Sequence, residues 1–292
     1  MIVHLLLFAL APVLELQDDA RTRLIAVAAS GLDVDIYGTV YLLDRERSTL
    51  RTIPQDTTPP REIGGPGWDQ GRFDAPSGCW ARNGLDILVA DEGNHRVQKF
   101  DRSLSFVSSL STRESDVVAE RFGYPKDVAL SRMGDLFVVD GENTRVVKFT
   151  RDTRFERAFG GPGAGRGRLR EPTQIEVGAS DLVYVLDRGR VAVFDTFGNY
   201  LLDLGEGVVN DPVALFADDL GSICVDRDSL FLFDVSHRYL GVSPVARYTG
   251  ELPHRVLALA AAGGKLYLLT PEGVWVGDDL RDRFLDKESK SR

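Results

Sequence analysis

A repeated segment constrains the fold of this chain more than any other feature of its sequence. Residues 72–101, RFDAPSGCWARNGLDILVADEGNHRVQKFD, align without a gap with residues 121–150, RFGYPKDVALSRMGDLFVVDGENTRVVKFT. Phe73, Pro76 and Asp91 each match an identical residue 49 positions later. The chain therefore contains copies of one structural unit, and a period of this length with several short β-runs per copy is typical of a propeller blade.

Four more copies can be recognised from the spacing of the same landmark residues. They differ from the first pair by small insertions and deletions, and the last copy is the weakest. The landmarks are Asp44 in the first copy, Pro172 and Asp187 in the fourth, Pro212 and Asp226 in the fifth, and Pro253 in the sixth. The chain thus holds six copies of the unit.

Each copy has the same order of local patterns. An apolar run follows the proline (strand a), a run such as DILVAD or DLFVVD follows a Gly or Asn turn (strand b), and a run such as RVQKF or RVVKF follows a tight turn (strand c). Short β-branched and aromatic runs separated by Gly, Asp and Asn predict strands joined by turns. We therefore predict an all-β fold, a six-bladed β-propeller of four-stranded antiparallel blades, with almost no helix.

The sixth copy lacks a candidate for its fourth, outer strand. Its strands a, b and c are predicted at residues 256–260, 265–269 and 274–276, after which the chain becomes charged. An earlier strand-like run, Leu24 to Ala28, needs a partner for its backbone groups. We therefore predict that this run supplies the outer strand of blade six, so that both ends of the chain close the ring together.

Two stretches resemble the NHL repeat, namely DEGNHRVQKF at residues 91–100 and FGGPGAGRGRLREP at residues 159–172. The tripeptide Asn94-His95-Arg96 retains the N-H-R core of the repeat. The resemblance extends over residues 22–278 and is strongest in blades two to four. Asn and His are absent from blades one, four, five and six, which are assigned by spacing and strand pattern. The resemblance implies a propeller that works as a binding platform, as in tripartite-motif proteins, whereas a minority of relatives, such as the peptidyl-hydroxyglycine lyases, are enzymes.

Recurrent charged residues mark the turn between strands b and c. Strand b ends at Asp91, Asp140 and Asp187 in three blades, and we expect each carboxylate to accept backbone N–H groups across the turn. Gly93 and Asn94 suit the positive-φ positions that such turns need. The arginine that opens strand c is expected to cover the same turn. Because these residues recur from blade to blade, we assign them to architecture rather than to catalysis.

Arginines are concentrated on one face of the predicted propeller, the face with the d–a and b–c loops. Guanidinium groups bind carboxylates and phosphates through paired hydrogen bonds, so these arginines are candidates for binding a protein, a peptide or another anionic ligand. The candidates are Arg166, Arg168 and Arg170 in one d–a loop, and Arg96, Arg145 and Arg190 in the neighbouring turns. The same loops also carry carboxylates, and a mixed, solvated surface is the alternative interpretation.

The mouth of the central channel lies on the same face, where the resemblance implies that lyase and lactonase relatives hold a metal. The residues after the proline landmarks that carry reactive or charged groups are Lys126, Asp127, His254 and Arg255. One carboxylate and one imidazole flanked by two cations would give at most two metal ligands in a field that repels a cation. We therefore predict no metal and no cofactor, and keep these four residues as candidates for an atypical catalytic site.

Charge and cysteine content limit the function classes further. The chain has 35 Lys and Arg against 44 Asp and Glu, a formal net charge of −9, so its long-range field opposes nucleic acid. Few aromatic residues interleave the arginines, which disfavours RNA, a ligand of some NHL domains. Cys79 and Cys224 lie in different repeats and are predicted to be free, buried thiols.

The N-terminal run Met1 to Leu14 is apolar and has the length of a signal-peptide core. We predict a leader at residues 1–17, a single propeller at residues 18–285 and a charged tail at residues 286–292. The mature protein would be exported to the periplasm or outside the cell, without a transmembrane span and as a monomer. Two functions stay open: a binding scaffold that acts through the arginine-bearing face, and a lyase or hydrolase whose channel site is centred on His254.

Overall fold

A computed structural model of the chain describes residues 14–17, 21–24, 29–250 and 255–281, the first two ranges by their backbone alone. Six antiparallel sheets follow one another along the chain. Five sheets have four strands each, and in these the spatial order of the strands is their order in sequence. The predicted six-bladed propeller with four-stranded antiparallel blades is therefore confirmed.

The strand bounds agree with the repeat pattern. The two N-terminal strands are β1 (Leu14–Gln17) and β2 (Arg21–Leu24). Blade one consists of β3 (Gly31–Val34), β4 (Val40–Asp44), β5 (Thr49–Ile53) and β6 (Glu62–Gly64). Blade two consists of β7 (Gly78–Trp80), β8 (Asp86–Asp91), β9 (Arg96–Asp101) and β10 (Phe106–Leu110). Blade three consists of β11 (Pro125–Leu130), β12 (Leu136–Asp140), β13 (Arg145–Phe149) and β14 (Phe155–Phe159).

The second half of the ring continues the same order. Blade four consists of β15 (Gln174–Val177), β16 (Val183–Asp187), β17 (Arg190–Phe194) and β18 (Tyr200–Asp203). Blade five consists of β19 (Pro212–Asp218), β20 (Gly221–Asp226), β21 (Ser229–Phe233) and β22 (Tyr239–Pro244). Blade six contains β23 (Ala258–Ala262), β24 (Lys265–Thr270) and β25 (Gly273–Asp278). The helical segments are a four-residue helix at Ala246–Thr249 and 3-10 turns at Val118–Glu120, Gly165–Gly167 and Ala179–Asp181.

The hydrophobic core lies between neighbouring blades. Every residue of the b strands β4, β12 and β16 is buried. Apart from the aspartate that ends each of them, these strands are apolar without alternation, because both faces of each sheet are covered by other blades. The repeated phenylalanines pack edge to face, with ring centroids 5.8 Å apart for Phe73 and Phe100 and 6.0 Å apart for Phe122 and Phe149. The repeat seen in the sequence is thus a repeat of core contacts.

The repeated aspartates hold the d–a loop that enters their own blade. Asp91 is fully buried and accepts the backbone N–H of Asp74 at 2.7 Å. Asp187 accepts the N–H groups of Arg170 and Glu171 at 2.9 and 2.7 Å. The sequence predicts contacts across the b–c turn, and a weaker one is present where Asp140 accepts the backbone N–H of Asn143 at 3.3 Å. The carboxylate points toward the d–a loop because several backbone donors converge there.

The positive-φ position of the b–c turn differs from the prediction. His95 has φ of 51°, and its counterpart Thr144 has φ of 50°. The prediction of Gly93 and Asn94 for this conformation was wrong. The Asn94 side chain instead donates to Asp91 at 2.9 Å, which fixes it in the turn. Each cysteine lies in a strand as a free thiol, Cys224 buried and Cys79 half-buried beside the channel.

An N-terminal strand forms part of blade six. β2 pairs antiparallel with β25, and β1 pairs with the outer edge of β2. The bounds differ from the predicted closure strand, which was Leu24 to Ala28. Leu24, the last residue of β2, lies opposite Val274, the second residue of β25. Residues 25–28 lie outside the described part, and β1 falls within the range predicted as a leader.

Arg281, the last residue that the structure describes, forms an ion pair with blade five. Its side chain is fully buried, and its two terminal nitrogens bind the carboxylate oxygens of Asp218 at 2.6 and 2.9 Å. Asp279 supplies a second carboxylate at 2.6 Å. A buried guanidinium needs such pairing, since an unpaired buried charge is strongly destabilising. No helix within the described ranges is long and apolar enough to cross a membrane, and the predicted tail at residues 286–292 lies beyond these ranges.

Candidate functional site

The inner strands of the six blades surround a central channel with two ends. We call the end with the d–a and b–c loops the loop face, and the end with the a–b and c–d turns the turn face. A cavity of about 170 Å³ lies in the channel toward the loop face. Its walls include the polar side chains of Ser30, Ser77, Thr173 and Gln174, together with Asp127. The channel mouth is therefore polar, as expected for a candidate site.

Polar side chains on the inner strands tie each blade to the next. Asp33 in blade one accepts a backbone N–H of blade two at 2.7 Å. Asp127 in blade three accepts the N–H of Ile175 in blade four at 2.9 Å. Gln174 exchanges two hydrogen bonds with the backbone of Leu215 in blade five, at 3.0 and 2.6 Å. Asp127, a candidate catalytic residue, is therefore a bridge between blades.

Arg82 reaches across the channel from blade two. Its guanidinium donates to Glu176 in blade four and, at 2.5 Å, to the carbonyl of Ala217 in blade five. Its Nε lies 3.7 Å from Asp33 in blade one. The guanidinium also lies 4.3 Å from the ring centroid of Phe216, within range of a cation–π attraction. One side chain thus joins four blades and closes the channel below the small cavity.

Burial changes the protonation of the channel carboxyl groups. Desolvation raises the pKa of Asp127 to about 7, although two backbone hydrogen bonds oppose the rise. Desolvation also raises the pKa of Asp33, and that of Glu176 well above its ordinary value, with the charge of Arg82 opposing both. Three carboxylates around one guanidinium would leave uncompensated negative charge in a low-dielectric channel. Burial therefore raises the pKa of each of these groups, and the charge of Arg82 limits the rise at its partners Asp33 and Glu176.

The donor set of the channel does not fit a metal ion. Within the described ranges, no group of three His, Cys, Asp or Glu side chains could hold one. The carboxylates bind Arg82 or backbone N–H groups instead. Burial raises the pKa of the Cys79 thiol well above its ordinary value, whereas metal binding requires a thiolate. No step that depends on a metal can be derived from these residues.

The three residues considered for catalysis that the structure describes, Lys126, Asp127 and Arg255, are not brought together as one site. Lys126 is paired with Glu92, whose other oxygen binds Arg45 at 2.6 Å. Arg255 is exposed to solvent. His254 lies outside the described ranges, so its prediction stays untested. Asp127 is engaged between blades, and the members seen in the structure form no acid–base pair with one another.

Three of the six candidate ligand-binding arginines are held inside the blades. Arg96 donates its Nε to Asp91 at 2.7 Å and its terminal nitrogens to three carbonyl oxygens of the d–a loop. Arg145 and Arg190 make the same carboxylate contact at 3.0 and 3.2 Å and also reach loop carbonyls. These arginines therefore act in the architecture, as their recurrence indicates.

The other three arginines project from the d–a loop of blade four, residues 160–172. Arg166, Arg168 and Arg170 are all exposed, and none forms an ion pair with a described residue. Hydrogen bonds from blade four hold the loop backbone in place, because Arg190 donates to the carbonyls of Arg166 and Arg168 at 3.1 and 2.6 Å. A side chain at Gly167 would approach Tyr200 to 2.7 Å, so the loop lies close against the blade. A supported loop thus presents three guanidinium groups that lack a carboxylate partner.

The family of the chain follows from a match to its repeats. The sequence profile of the NHL repeat matches residues 81–100 and 122–149, which lie in blades two and three. The chain is an NHL-repeat propeller. The family expected from the Asn94-His95-Arg96 tripeptide is therefore confirmed.

The curated relatives of this NHL-repeat propeller include proteins of different kinds. It is 31% identical over 143 residues to the protein brain tumor of Drosophila melanogaster, covering 47% of this chain and 13% of the relative. It is 27% identical over 137 residues to human NHL repeat-containing protein 3, covering 42% and 40%. It is 39% identical over 84 residues to a probable peptidyl-alpha-hydroxyglycine alpha-amidating lyase of Caenorhabditis elegans, covering 27% and 23%. The matched segments thus span less than half of each relative.

Solved propellers share the fold at low sequence identity. The virginiamycin B lyase of Staphylococcus aureus superposes with a TM-score of 0.61 at 12% identity, covering 86% of this NHL-repeat propeller and 81% of the lyase. At this identity the likeness concerns the fold, and function has to be argued from the site.

Sequence reasoning missed Arg82, the residue that organises the channel. The aligned repeat has Ser131 at the position 49 residues later. This difference between the two repeats was the available signal, because the shared architecture of the blades does not require an arginine at this position.

Proposed function

We propose that this NHL-repeat propeller is a binding protein that recognises an acidic peptide or an acidic protein segment through its loop face. The observation that carries the proposal is the loop at residues 160–172, whose three exposed arginines have no carboxylate partner among the described residues. Carboxylate groups match the paired donors of guanidinium in geometry and charge.

The placement of the three arginines favours recognition of a specific ligand over non-specific attraction by surface charge. The protein has a formal net charge of −9, so an unpaired cationic loop departs from the overall balance. The loop backbone is already fixed by Arg190 and Asp187. Binding would then order the arginine side chains alone, which lowers the entropic cost of association.

The test uses a fluorescently labelled oligo-glutamate peptide as the probe and fluorescence anisotropy as the readout. Replacing Arg166, Arg168 and Arg170 together by Ser should weaken binding by about tenfold or more and reduce its dependence on salt. The matched control replaces three exposed arginines of the turn face, Arg102, Arg151 and Arg154, and removes the same charge.

The control variant should bind the peptide as the parent protein does. Full retention of binding by the loop variant, or an equal loss in both variants, would remove the loop from consideration. Circular dichroism should show unchanged melting for both, since exposed substitutions usually alter stability by under about 0.5 kcal/mol.

A second candidate is an enzyme of the lyase type, supported by the matched lyase relative and by the pKa of Asp127 near 7. A group with this pKa can both accept and release a proton at neutral pH. The test is turnover of a peptidyl-α-hydroxyglycine substrate, compared with Asp127→Asn. Turnover that the substitution abolishes, in a protein that stays folded, would favour the enzyme over the binding protein.

Export is also part of the proposal, through the leader expected at residues 1–17. Expression with a C-terminal tag should place the protein outside the cytoplasm, and N-terminal sequencing should show a shortened chain. Cytoplasmic retention of an uncleaved chain would contradict it.

A further inference from the structure

A second, larger cavity opens on the turn face and runs outward between blades two and three. Its volume is about 920 Å³. Its inner end lies in the channel, against Trp80, Arg82 and Phe216, and its outer end lies against Lys99 and Val107 on the two outermost strands of blade two. Because three strand spacings separate the first and fourth strands of a blade, the groove is about 14 Å long.

Apolar side chains form much of the inner half of this groove, beside Arg82. Val34, Leu88, Leu130 and Leu136 contribute side chains to its walls. Three tips of consecutive a–b turns form an apolar rim, with exposed fractions of 65% for Ile36, 64% for Leu85 and 73% for Met133. Apolar side chains exposed side by side around a concavity mark a binding surface rather than the ordinary scatter of exposed apolar residues.

The outer half of the groove carries an excess of positive charge. Lys99 and Asp86 form an ion pair at 2.8 Å, and the nearby Arg151 is exposed and makes no ion pair with a described residue. Across the end of the channel, Arg132 in the a–b turn of blade three is paired with Asp219 in that of blade five. The paired charges cancel, so Arg151 leaves one uncompensated cation beside an apolar groove.

We propose that this groove binds a small amphipathic monoanion, whose acyl or aromatic body lies along the apolar inner walls and whose carboxylate or sulfonate faces Arg151. The volume lies in the range of small-molecule sites, which combine apolar walls with a few polar groups that fix orientation. A small molecule fits better than a protein surface because the groove is closed at its inner end by Arg82. The site lies on the face opposite the loop arginines and is independent of their role.

Isothermal titration calorimetry with sodium decanoate tests the site on the complete chain. Decanoate should bind at one saturable site, and each methylene group removed from the probe should weaken binding by about fourfold. Decyltrimethylammonium, which has the opposite charge, should bind much more weakly than decanoate.

Two variants at exposed positions test the orientation without disturbing the core. Arg151→Gln should weaken decanoate by about tenfold while leaving decanol unchanged, because decanol carries no charge. Met133→Glu should also weaken decanoate, since it adds an anion at the rim. The control Arg166→Gln lies on the loop face and should change neither probe.

Other outcomes overturn the proposal. They are the absence of saturable decanoate binding, an equal effect of Arg151→Gln on decanoate and decanol, and an effect of Arg166→Gln as large as that of Arg151→Gln. Peptide binding by the loop arginines is measured with a different probe and a different variant, so either proposal can fail alone.

Discussion

Replacing Asp127 by Asn should make the stability of the protein less sensitive to pH. Asp127 is 8% exposed, and its carboxyl group accepts the N–H of Ile175 at 2.9 Å. Burial raises its pKa from 3.8 to about 7 in the folded protein. Between these two values the unfolded chain has released the proton and the folded chain still holds it, so folding becomes less favourable as the pH rises.

The size of the effect follows from the pKa difference. A rise of roughly three pKa units corresponds to about 4 kcal/mol of stability, present at acidic pH and lost as the pH approaches 7. Asn keeps an acceptor oxygen for Ile175 and has no proton to release. We therefore expect the stability of Asp127→Asn relative to the parent to increase by about 3 kcal/mol between pH 5 and pH 8.

Urea denaturation at several pH values between 5 and 8 measures this difference directly. The exposed Asp152→Asn serves as the control, because it removes one negative charge without removing a buried group. A constant difference between Asp127→Asn and the parent across this range would refute the reasoning, as would a carboxyl carbon of Asp127 that titrates near pH 4 by NMR.

Three further predictions concern the turns, the channel and the closure of the ring. Arg96→Ala should lower the free energy of unfolding by about 2 kcal/mol in chemical denaturation, because the buried Asp91 loses a charged donor, whereas the exposed Arg47→Ala should have little effect. Arg82→Met should destabilise the protein by about 3 kcal/mol, since Glu176 and Asp33 lose their cation, and adding Glu176→Gln should restore part of the loss. A chain starting at Gly31 lacks β2 and should melt several degrees earlier than one starting at Asp18, which keeps it; equal melting temperatures would contradict a closing role for β2.

The fold could be predicted from the sequence because the blades repeat. A single blade cannot bury both faces of its sheet, so each copy of the unit has to keep the same apolar positions, such as Phe100 and Phe149. The recurrence of Arg96 and Arg145 likewise identified residues that hold turns. Residues that recur at equivalent positions in several blades can therefore be assigned a structural role from the sequence alone.

Features that occur once were harder to predict. Arg82 has no counterpart in the aligned repeat, and its partners Glu176 and Ala217 lie far from it in sequence. The sequence predicts Asp127 as a channel residue, but its role as a bridge depends on how closely blade four approaches blade three. The sequence predicts the closure strand from Leu24 onward, whereas the structure describes β2 at Arg21–Leu24, and its register depends on β25, which lies far from it in sequence.

The pairing of β2 with β25 also determines when the ring can be completed during synthesis. The first five blades join strands that are close in sequence, so each can assemble soon after it leaves the ribosome. β2 emerges before the strands of blade one but meets its partner only after residue 278 has been made. Until then its edge is open, and open strand edges and uncovered apolar faces attract other chains. Demand for chaperones should therefore last for the whole translation of the propeller, and faster elongation of its C-terminal third should reduce aggregation in the cell.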